Sequence, residues 1–308
     1  MLVIGDLHLM RNWIKKQQVE NFFEWLHKQD CFIKEKNIVL LGDLFEIPCP
    51  DVSLVVYYLQ LFSKIWKDKT IYLLEGNHDH NLTENALDYF TVLDNVKLIK
   101  DLQELEIEGK KCLFLPDYSY EGTDKPPMEE YYSSLKGEYD YIFAHVMDET
   151  QNFGSKFCDL KNVKGKRLFG HIHTSTLEKG GNYLGSAVKN SSTEKDDNKV
   201  LALINVDGLK LVQVPSFLKY ETVNYGDEPN CKDNLLLLNV TGAPSKAEAE
   251  EFYEAKFKNI KLNKVTTKRQ LILSSEAIDE VSESASWEAF SKEKNLPETV
   301  DAICRELL

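Results

Sequence analysis

Ile38-Val39-Leu40-Leu41-Gly42-Asp43-Leu44-Phe45 is an apolar run of strand length that stops at a glycine and an aspartate. The same arrangement recurs on both sides of it. Leu2–Gly5 leads into Gly5-Asp6-Leu7-His8, and Ile71–Glu75 into Gly76-Asn77-His78-Asp79. Tyr141–Ala144 leads into His145, and Arg167–Gly170 into Gly170-His171-Ile172-His173. Between the first two runs Val19, Phe22, Phe23 and Leu26 fall at helical spacing; between the second and third, Val55, Leu59, Phe62 and Trp66 do so. Strand–helix–strand alternation predicts an α/β domain with parallel pairing.

Further along, Gly181–Gly185, Val200–Val206 and Leu209–Val214 read as short strands, with Asp207-Gly208 as a hairpin turn. That is a switch to antiparallel β. The polar, turn-rich Tyr225-Gly226-Asp227-Glu228-Pro229-Asn230 marks a boundary, so a catalytic domain is expected over 1–225. Beyond it Leu235–Val240 reads as a strand, Ser245 to Glu248 as a capping box opening a helix, and Gln270–Leu273 as a second strand. These form a small βαβ-like cap over 226–275. Residues 276–308, with Trp287, Phe290 and a helix after Pro297, read as a helical tail.

The chain has 308 residues, 43% hydrophobic and 28% charged, enough for about two domains without disulfide staples. Its six cysteines form no CxxC pair, which excludes a zinc ribbon, and they read as buried or idle thiols. No apolar stretch approaches the roughly 20 residues that cross a bilayer, and Met1–Asp6 reads as a first strand and not a signal peptide. The expected location is the cytoplasm, with no membrane contact. With 37 basic and 50 acidic residues the net charge is −13, unusual for a protein that grips nucleic acid alone. Either the substrate is small or a partner does much of the holding.

Loops at the carboxyl ends of strands in an open α/β sheet converge on one crevice, so residues distant in sequence can meet there. Hydrolysing a phosphate ester near neutral pH calls for a hydroxide and for charge neutralisation on the phosphoryl oxygens. Two cations about 3.5–4 Å apart supply both, and a bridging carboxylate holds them that close. Five of the seven histidines, His8, His78, His145, His171 and His173, sit inside the motifs. Mixed imidazole and carboxylate donors favour Mn²⁺, Fe or Zn²⁺ over Mg²⁺. Each motif alone could be an ordinary strand-to-loop turn; the five in this order point to one metal site. His27 reads as a solvated helix residue, and His80 as an ordinary loop residue or a phosphate contact.

These motifs resemble the calcineurin-like metallophosphoesterase superfamily over roughly residues 1–215. Gly42-Asp43-Leu44-Phe45 and Tyr183-Leu184-Gly185-Ser186 are similar to SbcD-type DNA repair exonucleases of bacteria and phages. Met10 and Glu46 depart from that branch, and Val146-Met147-Asp148-Glu149 does not match it. The resemblance implies a sandwich of two β-sheets flanked by helices. It implies one divalent ion on Asp6, His8, Asp43 and His173 and another on Asp43, Asn77, His145 and His171, with Mn²⁺ the expected metal. By the same resemblance His78 protonates the leaving group or steadies the transition state, oriented by Asp79, and the substrate is DNA. A homodimer and an SbcC-like ABC-type ATPase partner engaging the tail are expected too. The lysines and arginine of Ala255–Ser275 (Lys256, Lys258, Lys261, Lys264, Lys268 and Arg269) read as a DNA-facing edge or as a solvated basic face of the small module. The alternatives are a small-molecule phosphodiesterase or phosphatase, and a non-catalytic scaffold of the same fold.

Overall fold

The computed structural model describes residues 1–10, 12–81, 85–117, 128–148, 158–191, 194, 199–230 and 235–267. Strand β1 (Leu2–Ile4) is followed by helices α1 (Trp13–Leu26) and α2 (Asp30–Lys34), then β2 (Asn37–Leu40), α3 (Val52–Ile65) and β3 (Thr70–Leu74). A 3-10 helix over Ala86–Val92 precedes β4 (Val96–Ile99). Next come β5 (Gln103–Ile107), β6 (Lys110–Leu115), α4 (Met128–Ser134), β7 (Gly137–Ala144) and β8 (Val163–Phe169). The hairpin of β9 (Val200–Asn205) and β10 (Gly208–Gln213) turns at Val206-Asp207. Finally β11 (Lys219–Asn224), β12 (Leu236–Ala243), α5 (Lys246–Tyr253) and β13 (Ile260–Thr267) follow. The chain divides into two compact units after Lys219.

Local chemistry sets the helix starts. The Asn12 side chain accepts from the Ile14 and Lys15 amides at the head of α1, and Asp51 accepts from Ser53 N at the head of α3. Each helix then presents one apolar face: Val19, Phe22, Phe23 and Leu26 on α1, and Leu54, Val55, Tyr58 and Phe62 on α3. Leu59 is only partly buried, because Tyr58 takes the inward position beside it.

The first unit is a two-sheet sandwich. One sheet runs β10-β9-β1-β2-β3-β4, with β1 to β4 parallel and the β9–β10 hairpin antiparallel on β1. The other runs β5-β6-β7-β8, parallel from β6 to β8. Alternate residues of each strand face opposite layers. Val3, Val39 and Leu74 meet Phe114, Phe143 and Leu168 between the sheets. Leu2, Ile38, Leu40 and Leu73 face Phe22 and Phe62 of the helices, while Leu113 and Ile142 pack on Tyr132 of α4. Strands covered on both sides explain why the apolar runs are continuous and not alternating.

Some expectations are corrected. Gly181–Gly185 is not a strand; only Tyr183 pairs, through a single bridge to Phe169. His27 is not a solvated residue: it closes α1, half-buried and stacked on Phe23 with its ring also against Phe32. Burial lowers its pKa.

In the second unit β12, α5 and β13 form a βαβ element with β12 and β13 parallel, and β11 lies on the other side of β12. Ser245 caps α5 by accepting from Glu248 N. Leu236, Leu238, Val240, Ala249, Tyr253 and Ile260 make its core. The strand that closes the element is Ile260–Thr267; the stretch Gln270–Leu273 and the tail 276–308 lie outside the described residues, as do Lys268 and Arg269. Among the described residues no helix is long and apolar enough to cross a membrane.

Candidate metal centre

Five of the parallel strands end on one edge of the sandwich. β1 delivers Asp6 and His8, β2 delivers Asp43, β3 delivers Asn77 and His78, β7 delivers His145, and β8 leads to His171 and His173. The loops are laced together by main-chain bonds: Leu7 N and His8 N both donate to Asp43 O, and Gly170 N to Ala144 O. His8, Asp43 and His171 all have positive φ, at 46°, 47° and 77°. Such backbone costs about 1–3 kcal/mol per non-glycine residue and persists only where the surroundings enforce it. Gly42 is required for a related reason: with φ +97°, a Cβ there would lie 2.4 Å from His145 Nδ1.

Contacts on the far side of His145, His8 and His173 set which nitrogen of each ring faces inward. His145 Nδ1 lies 2.7 Å from Leu41 O, which can only accept, so Nδ1 carries the proton and Nε2 presents a lone pair. That lone pair faces Asp43 Oδ2 at 3.3 Å and Asn77 Oδ1 at 3.0 Å. His171 Nδ1 faces the same Asn77 oxygen at 2.8 Å. Across the site, His8 Nδ1 lies 3.0 Å from Glu46 Oε2 and His173 Nδ1 lies 3.2 Å from Glu194 Oε1. Their Nε2 atoms therefore point at each other, 2.8 Å apart. Asp43 Oδ2 is also 3.6 Å from His8 Nε2, so one carboxylate oxygen faces both groups.

Acceptors aimed at acceptors repel unless something positive lies between them. The ligand atoms of Asp6, His8 and His173 lie within 4.8 Å of one another, as do those of Asp43, His145 and His171, and those of His8, Asp43 and His78. Asp6 Oδ1 is buried with no hydrogen-bond donor. The donor set fits divalent cations of the imidazole- and carboxylate-binding kind. The charges say the same. Burial alone would lower the pKa of His145, but Asp43 and Asp6 raise it to about 10, so these carboxylates favour a positive charge at that position. His171 is driven down to about 4, by burial and then by His145, and stays a neutral donor. Burial would raise Asp43, yet His145, His8 and the His78 amide outweigh it and keep the carboxyl below its usual range. Asp6 is raised, chiefly by burial.

His78 and Asp79 part company. His78 Nδ1 lies 2.7 Å from the Glu46 carbonyl and its amide donates to Asp43 Oδ1. Asp79, expected to orient that ring, instead accepts from Phe45 N and Gly76 N. It is fully buried and clamps the two loops, while the carbonyl of Glu46 orients His78. Burial, reinforced by Asp43, raises the Asp79 pKa well above the usual range. His80 is buried, 3.4 Å from Asp117 Oδ2 and 3.8 Å from Glu75 Oε1.

Glu194 is the site residue that the motifs did not reveal. It is buried, and besides facing His173 it accepts from Lys199 Nζ at 2.7 Å and from the Asn190 and Ser191 amides. Burial would raise its pKa, but His173 and Lys199 hold it down to about 2.

A protein with this sandwich and this cage is a metal-dependent phosphoester hydrolase. Residues 1–175 match the sequence profile of the calcineurin-like phosphoesterases, and the chain belongs to that family. No curated protein sequence matches the chain. Among solved structures, the protein of unknown function AQ665 from Aquifex aeolicus is similar over 54% of this chain and 87% of its own, at 17% identity and a TM-score of 0.28. A likeness that slight carries no argument.

Proposed function

We propose that the protein is a two-ion phosphodiesterase whose substrate is DNA, of the SbcD-type branch. The observation that carries the two-ion reading is Asp43 Oδ2, one oxygen facing His145 Nε2 on one side and His8 Nε2 on the other. On this reading Asp6, His8, Asp43 and His173 hold one ion, and Asp43, Asn77, His145 and His171 the other; Mn²⁺ suits the donors. Bound there, such ions supply Lewis acidity to the phosphoryl oxygens and a nucleophile at neutral pH. The protein's own part is to hold the cage and to manage a proton. His78 keeps Nδ1 on the Glu46 carbonyl, which leaves Nε2 to meet the leaving oxygen, and the ring sits edge-on to His8 with centroids 5.0 Å apart.

DNA is favoured by the added βαβ unit, which a compact phosphatase would not require, and by exposed Lys258 and Lys264 on it. A small phosphodiester is the second reading. It is favoured by the net charge of −13 and by the pairing of Lys256 with Glu228 and of Lys261 with Glu254. A homodimer is supported by apolar Val52 and Val56 exposed on α3, with exposed Tyr89 and Val92 on the 3-10 helix that contacts it. An SbcC-like ATPase that holds the DNA would answer the acidic charge.

The test is incubation with Mn²⁺ and three substrates: end-labelled duplex DNA, an aryl phosphodiester and an aryl phosphomonoester. DNA cleavage that His78→Ala slows by roughly 10²–10⁴-fold is the expected result. Turnover of the small esters alone would overturn the DNA reading.

A further inference from the structure

The two halves of the cage take two imidazoles each, and they differ in what lies around those imidazoles. His145 is backed by a neutral carbonyl, Leu41 O. His171 Nδ1 faces the amide oxygen of Asn77, which belongs to the same half's ligand set. His8 and His173 are instead backed by carboxylates, Glu46 and Glu194. Neither glutamate belongs to the ligand set. Each lies on the side of its imidazole turned away from the inner cage.

We propose that Glu46 and Glu194 are positioning residues that make the Asp6–His8–His173 position the tighter of the two, so that it fills first. The proposal rests on the two-ion reading above. A carboxylate on the outer nitrogen fixes the ring's tautomer and orientation and makes the inner nitrogen a stronger donor. A carbonyl does the first two and less of the third. Charge runs the same way. The Asp6 position has a carboxylate of its own besides the shared Asp43, with two more behind it, of which Lys199 offsets one. The other position has the shared Asp43 and a neutral amide, with Asp117 acting on His145 and His171 from outside the ligand set.

Glu194 is itself held in place. Lys199 Nζ bonds its carboxylate, the Ser186 hydroxyl and the His173 carbonyl, so one ammonium ties the glutamate to the loop carrying its histidine. Lys15 of α1 donates to the carbonyls of Lys189 and Asn190, at 2.7 Å each, and so anchors the turn whose amides bind Glu194. This organisation reaches from α1 to β9. Glu46 is held less firmly, since its carboxylate stands partly in solvent. The larger effect is therefore expected from Glu194.

The experiment is calorimetric titration of the metal-stripped full chain with Mn²⁺, with electron paramagnetic resonance counting bound ions. The wild type should show two events of unequal affinity. Glu194→Gln and Glu46→Gln should each weaken the tighter event, roughly 10–100-fold as outer partners of metal ligands do, and leave the weaker one in place. His171→Ala should remove the weaker event and leave the tighter. Glu46 is half-exposed, so Glu46→Gln keeps the fold even if Glu194→Gln does not. Two equal events, or glutamine variants that weaken both events alike, would overturn the proposal. A single ion bound by the wild type would overturn the two-ion reading. The role of the glutamates would then stand if Glu194→Gln weakens that ion and His171→Ala does not, and fall otherwise.

Discussion

The two compact units of this chain solve opposite problems. Among the described residues, every buried charged or polar side chain lies in the first unit, from Asp6 to Lys199. The second unit buries Leu236, Leu238, Val240 and their apolar neighbours. Buried carboxylates and imidazoles cost desolvation that only specific partners offset. The first unit therefore spends part of its sandwich core holding a charged cage that does not favour folding. The second unit has no such burden, and its stability should follow simple apolar burial. The difference separates what holds the chain folded from what lets it act on a phosphate.

Four substitutions or conditions would sharpen or break that contrast. Asp43→Ala removes the oxygen that faces both groups of ligands. Phosphodiesterase activity should fall below detection, while thermal unfolding of the second unit stays unchanged; residual activity near wild type would mean that the shared carboxylate is not central. Leu238→Ala is the mirror case. It should destabilise the second unit by about 2–5 kcal/mol and leave turnover of an aryl phosphodiester intact. Chelation comes next. An ion present at 100-fold over its dissociation constant stabilises the state that binds it by about 2.7 kcal/mol, so EDTA should lower the first unit's transition and spare the second's. Scanning calorimetry reads both transitions together.

The smallest effect is a pH dependence. Burial lowers the Lys15 pKa to about 8 from its ordinary 10.5, against the pull of Glu194. Between those values the unfolded chain holds the proton and the folded chain does not, so folding stability rises with pH across that window. Below about pH 8 the group is charged in both states and the cost of burying it is carried in full. In denaturant titrations Lys15→Met should lack the rise from pH 8 to 10.5. An identical profile would show that the ammonium is not strained.

The parallel strands and the polar residues that gather at their ends were legible because their physics is local. An apolar run ended by glycine and a metal-binding residue carries its meaning in adjacent letters. The helical faces were legible by period, although Tyr58 displaced Leu59 because packing and not spacing alone chooses the inward residue. Glu194 was not legible. Nothing in the letters around Glu194 marks it, and the bonds that hold its carboxylate come from Lys199, His173 and the turn anchored by Lys15. Asp79 misled in the opposite way: its place beside His78 in sequence says nothing about its bonds, which run to Phe45 and Gly76. In Ile260–Thr267 the lysines at 261 and 264 gave the stretch a basic look, and no strand was expected there.

The left-handed backbone at His8, Asp43 and His171 has a consequence for how such a protein ages in the laboratory. Glycine would relieve each of these positions, and in metal-free protein it would also relax the crowding of lone pairs. Selection for thermal robustness under metal-free conditions, with no demand for turnover, would thus pull these three codons toward glycine. The outcome would be a relaxed backbone with a dead cage. A screen meant to harden this enzyme must therefore score hydrolysis in every round, because here the slope of stability points away from chemistry.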